Sequence, residues 1–383
     1  MAGIYIHIPF CRSRCIYCGF YSTTSLELRQ RYVDALCREM EIRSQRSEVR
    51  GENIETIYLG GGTPSQLTFD QLRQLFIYIN KVYPLPSKPG GAEDRPEITI
   101  EVNPDDVTVE FAAVLQQLPV NRVSMGIQTF DDQRLRFLRR RHTARQAIEA
   151  VSILRAAGIR NISIDLMYGF PGETLADWEA DIDAALALNV EHLSAYCLMI
   201  EEGTPLHRML KQHTGDEETE RQMYEVLIDR LTTADYEHYE ISNFARPGFR
   251  SRHNSSYWNG TPYIGLGAAA HSYDIRSRSW NVADIRQDIE GMERGERIFE
   301  EELLDDDTRY NDIVTVALRT REGIDLNALS EKYRNYCIKN ARRYLDDGLL
   351  ELTTPLSPVT SHLRLTRRGL FVSDMVMSNL MMV

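Results

Sequence analysis

The 383-residue sequence has no long apolar run and no surplus of positive charge. Its apolar stretches, such as residues 263–270, fall far short of the ~20 residues that a bilayer-spanning helix needs. It carries 44 Lys and Arg against 56 Asp and Glu, a formal net charge of −12, whereas nucleic-acid-binding proteins usually carry a basic surplus. Composition therefore argues against a membrane-spanning protein and against a nucleic-acid partner.

The N-terminal segment lacks the basic stretch and the cleavage site of a signal peptide, and residues 1–10 have the pattern of a strand. We therefore expect the chain to stay in the cytoplasm, where thiols are kept reduced. In that compartment its six cysteines are better explained as ligands or core residues than as disulfides.

Strand and helix patterns alternate through the first two thirds of the chain. Such alternation predicts a parallel sheet with helical crossovers, and six units favour a partial (β/α)6 barrel of the TIM type over a closed barrel of eight. An open doubly wound sheet is the alternative. Predicted strands cover residues 4–8, 56–59, 97–102, 122–125, 162–166 and 192–198, and predicted helices cover 26–49, 69–82, 109–118, 143–157 and 175–188; residues 84–96, rich in proline, are predicted to form a loop.

The rhythm changes after about residue 215, where a helix over 217–233 and a strand over 239–241 precede an aromatic, glycine-rich stretch. From residue 305 onward, three short helices, strands over 349–352 and 363–365 and a final helix predict a small winged-helix-like α+β unit. We expect a core domain over 1–235, a connecting segment over 236–300 and a C-terminal domain over 301–383.

Three of the six cysteines, Cys11, Cys15 and Cys18, lie within eight residues in a C-x3-C-x2-C pattern. A loop this tight brings three thiolates to one point, and three thiolates on a four-iron cube leave one iron open to a small chelating molecule. A structural zinc site usually has four protein ligands, and no fourth cysteine lies nearby. The spacing therefore favours an iron–sulfur cluster. Cys37, Cys197 and Cys337 are expected to be core residues.

Gly61 and Gly62 belong to a GGGTP turn that follows the second predicted strand. Glycines there allow the backbone to approach a ligand, although a plain strand-to-helix turn capped by Thr63 or Ser65 explains them equally well taken alone. Glu101, Gln128 and Asp165 each end a predicted strand. Because functional side chains of parallel barrels gather at that edge, the three together indicate a site.

Two further segments are open to both a structural and a functional interpretation. The run Arg139–His142 suits a solvated helix end, although one arginine such as Arg140 can clamp a carboxylate. Residues 253–258 read HNSSYW and are expected to form a loop over the barrel mouth. Its aromatic residues suit a domain interface, while His253 is also a residue type that binds haem iron.

The cysteine spacing, with Tyr17 before the last cysteine and GGGTP downstream, is similar to the radical S-adenosylmethionine signature. Four more segments resemble the oxygen-independent coproporphyrinogen III dehydrogenase family, so that the likeness extends over nearly the whole chain. They are YIHIPFC at 5–11, IEVNP at 100–104, SMGIQ at 124–128 and DLMYGFPG at 165–172.

Two features distinguish branches within that family. The dehydrogenase branch carries a fourth cysteine two residues after the third and an N-terminal extension, whereas this chain has Phe20 at that position and no extension. The HemW-type haem-chaperone branch carries H-N-x-x-Y-W, present here from His253 to Trp258. The chain therefore resembles the chaperone branch, and the resemblance makes His253 a candidate haem contact.

The resemblance also assigns roles to matching positions. The three cysteines would hold one [4Fe–4S] cluster, and Tyr5, Gly61 and Glu101 would contact S-adenosylmethionine at its open iron. A second S-adenosylmethionine pocket of the dehydrogenase, or simply one larger cavity, would be lined by Tyr17, Gly62, Thr63, Gln128, Arg140 and Asp165.

The resemblance implies a haem chaperone that binds haem, passes it to an acceptor haemoprotein and draws on an electron donor for the cluster. The alternative is the dehydrogenase itself, which oxidatively decarboxylates propionates in porphyrin biosynthesis. A third interpretation, a radical tRNA modifier that uses its C-terminal unit to bind RNA, is opposed by the acidic balance. The sequence leaves open whether the chain turns over as an enzyme, whether the acceptor is membrane-associated and whether the chain forms a homodimer.

Overall fold

The computed structural model describes residues 2–45, 54–83, 95–210, 216–353 and 361–382. The predicted loop over 84–96 and the end of the predicted helix over 26–49 lie largely outside these ranges. None of the helices within the ranges is long and apolar enough to cross a membrane.

Within the described residues the chain forms fifteen strands and fourteen helices. The strands are β1 (Ala2–Ile8), β2 (Ile54–Gly61), β3 (Glu97–Val102), β4 (Arg122–Gln128), β5 (Asn161–Tyr168), β6 (His192–Cys197), β7 (Glu237–Glu240), β8 (Asn243–Ala245), β9 (Tyr263–Leu266), β10 (His271–Tyr273), β11 (Ser277–Asn281), β12 (Phe299–Leu303), β13 (Ile324–Asp325), β14 (Leu350–Thr353) and β15 (His362–Leu365). The helices are α1 (Arg29–Gln45), α2 (Phe69–Val82), α3 (Val109–Leu115), α4 (Asp132–Phe137), α5 (Ala144–Ala156), α6 (Leu175–Ala187), α7 (Pro205–Met209), α8 (Glu217–Thr233), α9 (Arg252–Trp258), α10 (Ile285–Glu293), α11 (Asp306–Ala317), α12 (Glu331–Asp346), α13 (Arg367–Leu370) and α14 (Ser373–Leu380).

Twelve of the described strands form one sheet in the order β12-β11-β10-β9-β1-β2-β3-β4-β5-β6-β8-β7. The strands from β1 to β6 are parallel, as the alternation of strands and helices predicted, and β9 adds a seventh parallel strand beside β1. No pairing among the described residues joins β12 to β7. The sheet is therefore a partial barrel, and the predicted fold class is confirmed.

The side chains of the parallel strands alternate between two environments. Ile4, Ile6 and Ile8 point to one face and are completely buried in the main hydrophobic core, which includes residues of the surrounding helices. Tyr5 and His7 point to the opposite face, here called the inner face. The inner face is polar and aromatic, and it carries the candidate site.

Helix starts explain why the crossovers begin where the sequence suggested. Thr68, Thr143 and Thr174 each cap a helix through a reciprocal capping box. Thr63, the cap expected for the GGGTP turn, makes no such side-chain bond, because a 3-10 turn over Pro64–Gln66 precedes α2. Its hydroxyl is left available for the site.

The segment 236–300 contributes five complete strands, β7 to β11, to the main sheet. Its HNSSYW motif was expected to form a loop over the barrel mouth, and that expectation is wrong. The motif lies in α9, capped by the Ser251 side chain, and α9 packs near the beginning of β2. A seven-residue helix is too short for its periodicity to be distinguished from that of an aromatic loop.

The C-terminal unit has its own hydrophobic core, which extends from Tyr310 to Leu380. Its three-stranded antiparallel sheet has the order β13-β15-β14, and α11 and α12 pack beside it. This is the predicted winged-helix-like α+β arrangement. It has two helices before the hairpin, where three were predicted. The unit joins the main sheet where the backbone of Ile241 bonds to Arg319 and that of Arg321 bonds to Tyr239.

Candidate functional site

The cysteine loop leaves the carboxyl end of β1 and is anchored on both sides. Cys11 N donates to Thr23 O at 2.9 Å, which closes the base of the loop. Ile16, in the middle of the loop, is 1% exposed and bonds through its backbone to Leu138 and Leu206. The loop is thus held on a buried apolar residue, while the three thiols remain partly exposed at its surface.

Two of the three thiols, those of Cys11 and Cys18, are in surroundings that favour the neutral form. Burial raises the pKa of the Cys11 and Cys18 thiols, and each also feels the charge of Cys15. In the described residues no three His, Cys, Asp or Glu side chains converge closely enough to hold a single metal ion. Three partly exposed thiols on one short loop suit a four-iron cluster that keeps one iron open.

The GGGTP turn lies so close to the end of β1 and to Glu101 that its glycine positions have no room for a side chain. A Cβ on Gly62 would lie 2.6 Å from Ile8 O, and one on Gly61 would overlap the ring of His7. Gly61 also has φ +99°, a left-handed conformation that disfavours other residues. A Cβ on Gly60 would lie 2.8 Å from Glu101 Oε1. The turn therefore forms a backbone cradle beside the thiols, which suits a ligand bound to an open iron.

Glu101 faces this cradle from the end of β3. Tyr58 Oη donates to Glu101 Oε1 at 2.8 Å, and Gly61 N donates to Oε2 at 3.0 Å. Burial raises the pKa of Glu101 to about 7, although both hydrogen bonds and the charge of Arg122 lower it. The carboxyl group is therefore close to half-ionised at neutral pH and has lone pairs left for a ligand.

A chain of hydrogen bonds connects two of the cysteines. Cys11 Sγ contacts Thr63 Oγ1 at 3.5 Å, Asn103 Nδ2 donates to Thr63 Oγ1 at 3.2 Å, and Arg140 Nη2 donates to Asn103 Oδ1 at 2.7 Å. Arg140 Nη1 then donates to Cys15 Sγ at 3.6 Å. Sequence reasoning missed Asn103 as a site residue, although it stands two positions after Glu101 in the IEVNP segment.

Gln128 and Asp165 reach the same region from β4 and β5. Gln128 has φ 72°, and β4 has an irregular register beside it. Gly126 allows this turn, because a Cβ there would lie 2.7 Å from Gln128 Nε2. Burial raises the pKa of Asp165 to about 6. Backbone strain in a non-glycine residue is often found at functional sites.

The three arginines of the basic run lie in three different environments. Arg139 is exposed. Arg141 binds Asp105 at 2.6 Å and Asp106 at 3.2 Å, and is therefore a structural clamp. Arg140 alone reaches the cysteine loop. Tyr17 lies half-buried in that loop. Burial raises the pKa of Tyr17, and so do the nearby Cys15 and Cys18.

His253 lies at the opposite end of the inner face. Its Nδ1 is 2.8 Å from Thr56 Oγ1 and its Nε2 is 2.8 Å from Tyr257 Oη, so both ring nitrogens are engaged. Its ring stacks on Tyr58 at 5.0 Å, and Glu97 at the start of β3 accepts its backbone N–H. The structure thus groups the sequence-predicted residues at the carboxyl edge of the sheet, except Tyr5, which lies midway, and His253.

Tyr5 connects the two ends of the inner face. Its hydroxyl is 3.1 Å from His7 Nδ1, and its ring is 6.4 Å from that of His253. Near the same level, Arg122 is 1% exposed, and its Nε and Nη1 have no hydrogen-bond partner among the described residues. Sequence reasoning missed Arg122, and no motif marked it.

The chain is similar to several known proteins. Residues 5–185 match the model of the radical SAM superfamily. The heme chaperone HemW of Bacillus subtilis (strain 168) is 35% identical over 87% of this chain and 87% of its own length. The heme chaperone HemW of Mycobacterium tuberculosis (strain ATCC 25618 / H37Rv) is 33% identical over 99% of this chain and 94% of its own length.

One solved structure is similar over almost the whole fold. It is coproporphyrinogen III oxidase (HemN) from Escherichia coli, described as a radical SAM enzyme, with a TM-score of 0.82 over 99% of this chain and 90% of that one. At 21% sequence identity this likeness shows the fold alone.

The burial of His253 predicts an acid-dependent loss of stability. Burial and the charge of Arg122 lower its pKa from 6.5 to about 3. Between these two pH values, His253 is protonated in the unfolded chain and neutral in the folded chain. The contribution of neutral His253 to the free energy of unfolding is therefore complete above about pH 6.5. It decreases by about 1.4 kcal/mol per pH unit as the pH falls toward 3. His253→Gln should lose about 2 kcal/mol less than the wild type between about pH 7.5 and about pH 5.

Urea unfolding at the two pH values measures this difference. Because His7 and His142 are also buried with lowered pKa values, the variant should remove only part of the wild-type slope. His207→Gln, at a partly exposed histidine on α7, is the matched control. Equal slopes for His253→Gln and the wild type would contradict the prediction.

Proposed function

Because the chain belongs to the HemW family of the radical SAM superfamily, we propose that it is a haem chaperone, which binds haem and passes it to an acceptor haemoprotein. The observation that carries the proposal is the identity of 35% with a heme chaperone over 87% of both chains. Phe20, 70% exposed where the dehydrogenase branch has a cysteine, supports the same choice.

The proposed resident cofactors are one [4Fe–4S] cluster and S-adenosylmethionine. Cys11, Cys15 and Cys18 would hold the cluster, whose chemistry when reduced is to supply one electron to the sulfonium of bound S-adenosylmethionine. The glycine cradle and the partly exposed thiols beside it support this assignment.

Each residue of the cradle has a proposed task. Gly61 and Gly62 let the backbone approach the ligand, and Glu101 accepts a hydrogen bond from it while Tyr58 and Gly61 N keep the carboxyl oriented. Tyr5 closes the pocket from below. A second ligand, or the wall of one larger cavity, would be held by Tyr17, Gly62, Thr63, Gln128, Arg140 and Asp165.

His253 is proposed to contribute to haem binding as part of the H-N-x-x-Y-W motif. Both of its ring nitrogens are engaged, so direct contact with haem requires α9 to move away from Thr56. Without such a movement, His253 acts by fixing the position of α9. Loss of haem affinity in His253→Ala is compatible with either route.

The proposed location is the cytoplasm, and the proposed partners are haem, an acceptor haemoprotein and an electron donor, with no nucleic acid. The formal net charge of −12 supports the last point. A membrane-associated acceptor and a homodimer remain part of the proposal as alternatives to a free acceptor and a monomer.

The second candidate function is oxygen-independent coproporphyrinogen III dehydrogenase. It is the second candidate because the Escherichia coli oxidase shares the fold, with a TM-score of 0.82. Fold alone does not determine activity, and Phe20 argues against it.

One pair of assays separates the two functions. Anaerobically reconstituted protein is titrated with haem, then mixed with an apo-haemoprotein while absorbance reports transfer; a parallel sample receives coproporphyrinogen III, S-adenosylmethionine and a reductant. We expect haem binding and transfer without decarboxylation. Formation of protoporphyrinogen would overturn the chaperone assignment.

Replacing Cys11, Cys15 or Cys18 by alanine is expected to abolish the cluster, because a cube held by two thiolates is labile. Iron content and visible absorbance after anaerobic reconstitution measure the loss. Cys197→Ala, at a half-buried thiol at the end of β6, is the control and should keep the cluster. Full iron occupancy in any one of the three loop variants would remove that cysteine from the assignment.

Glu101→Gln is expected to weaken binding of S-adenosylmethionine by about tenfold or more while sparing the cluster, since a hydrogen bond to a charged group contributes about 1.5–3 kcal/mol. Because the pKa of Glu101 is about 7, the carboxylate form grows from pH 6 to pH 8. The wild-type affinity should therefore rise over that interval, and the affinity of the variant should not. Calorimetry on reconstituted protein measures both.

Tyr58→Phe provides a sharper comparison. It removes a hydrogen bond that lowers the pKa of Glu101, so the rise in affinity should move to higher pH. An identical pH profile in all three proteins would rule out Glu101 as the titrating contact.

A further inference from the structure

The solvent-facing surface around the cysteine loop is built from three segments that are bonded to one another. Ile16 N, in the middle of the loop, donates to Leu138 O at 3.3 Å, and Leu206 N of α7 donates to Ile16 O at 2.9 Å. The three side chains pack together in a small apolar cluster that is separate from the main core. The exposed side chains of these segments therefore share one area, here called the loop surface, which comprises residues 12–14, 19–20, 139, 199, 201–202 and 208–209.

Three exposed arginines of the loop surface have no partner. Arg14 lies in the cysteine loop, Arg139 lies just after α4, and Arg208 lies in α7. None of these three side chains makes a hydrogen bond or an ion pair within the part of the chain that the structure describes. Burial raises the pKa of the Cys11 and Cys18 thiols, and the charge of Arg14 opposes that effect. Unpaired positive charge thus lies directly beside the thiols.

The charge of the loop surface differs in sign from that of the whole chain, whose formal net charge is −12. Arg12 is a fourth exposed arginine, and its Nε donates to Gln66 Oε1 at 2.8 Å. The exposed acids of the loop surface are Glu201, which lies against Gly19, and Glu202. Four arginines against two glutamates leave the loop surface positively charged on an acidic protein.

Large apolar side chains are exposed on the same surface. Phe20 is 70% exposed, Met199 is 71% exposed and Met209 is 55% exposed. Met199 follows Leu198, which belongs to the same small apolar cluster as Ile16. Exposed apolar groups that occur together mark interaction sites more often than bare surface, and apolar contacts surrounded by charged groups are the usual composition of a protein–protein interface.

The position of the loop surface beside the thiols indicates the kind of partner. A cluster held by the cysteine loop has to receive its electron from another molecule, and the loop meets solvent at this surface. An acidic carrier is repelled by the chain as a whole and attracted here, because the summed charge of a protein steers a partner toward a patch of opposite sign. RNA and an anionic membrane would also be attracted by arginines, but neither supplies an electron.

We propose that the loop surface docks an acidic, low-potential electron-carrier protein, with Arg14, Arg139 and Arg208 facing its carboxylates and Phe20 in the apolar contact. The reduced carrier gives one electron to the oxidised cluster, and no bond is formed or broken in this step. The proposal rests on the proposed [4Fe–4S] cluster and deepens it by naming the surface and the charge of its electron donor.

Electron transfer from a reduced plant-type [2Fe–2S] ferredoxin to the full reconstituted chain, followed by stopped-flow absorbance, tests the charged contacts. The double variant Arg139→Glu with Arg208→Glu should lower the second-order rate at low salt by about tenfold or more, since steering changes association rates about 10- to 1,000-fold. The wild-type rate should fall as salt is added, because salt screens the attraction, and the rate of the variant should not. Lys339→Glu with Arg342→Glu, at two exposed residues of α12, changes the net charge equally and is the matched control.

Calorimetry with oxidised ferredoxin tests the apolar contact and requires no electron transfer. Phe20→Ser should weaken binding at low salt by about fivefold or more, as is usual when a central apolar residue of an interface is truncated. Val109→Ser, at a 68% exposed valine at the start of α3, is the matched control and should bind like the wild type.

Iron content and the final extent of cluster reduction by dithionite should be those of the wild type in every variant, so that a slower reaction with ferredoxin reports docking. A wild-type rate and salt dependence in the loop-surface double variant, or an equal loss in the α12 control, would overturn the docking surface and leave the cluster standing. Binding of RNA or of anionic lipid vesicles that is lost in the same variant, while its ferredoxin rate is unchanged, would also overturn the proposal. A wild-type chain that holds no cluster would overturn the proposed cofactor and the docking surface together.

Discussion

The absence of a side chain at Gly62 is the constraint on which the candidate site depends. Gly62 N donates to Ile8 O at 3.0 Å, and a Cβ at that position would meet the same carbonyl oxygen at 2.6 Å. This contact joins the end of β2 to the end of β1, just where the cysteine loop begins. Thr63 can then reach Cys11, and Glu101 can bond to the neighbouring Gly61 N. Without the close approach, the loop and the carboxyl edge of the sheet would be separate surfaces.

The two ends of the inner face differ in electrostatics, and burial is the reason for both. At the carboxyl end, burial raises the pKa of Glu101 to about 7 and that of Asp165 to about 6, so both can change charge near neutral pH. At the other end, burial lowers the pKa of His253 to about 3, and the imidazole stays neutral. Arg122 lies between them and lowers all three pKa values. One buried guanidinium thus favours the ionised form of two carboxyl groups at one end and the neutral form of a histidine at the other.

The main sheet and the C-terminal unit meet along β7, which has one side paired with β8 and the other side facing the unit. An edge strand with unpaired backbone groups is usually covered, and here the backbone of Ile241 and Tyr239 pairs with the residues after α11. The C-terminal unit covers β7 only in part, because the rest of β7 lines a cleft between this strand and the unit. Arg319 crosses this boundary, since it bonds to Glu240 on β7 and stacks on Trp258 of α9.

The sequence by itself determined the features that depend on local spacing. The pattern of Cys11, Cys15 and Cys18 requires a tight loop, the alternation of strand and helix periods requires parallel crossovers, and polar residues that end parallel strands must meet at one edge. Only the tertiary structure decided the partners of those residues. The hydrogen bonds of Asn103 to Thr63 and Arg140 join positions 40 and 37 residues apart. The placement of α9 beside Thr56, instead of over the barrel mouth, joins positions 197 residues apart. The cleft between β7 and the C-terminal unit, beside His238, forms between separate elements of the chain. A periodic pattern predicts which face of an element is buried, but it does not predict which distant element covers that face. The covering element depends on how the strands and helices of the complete sheet pack together.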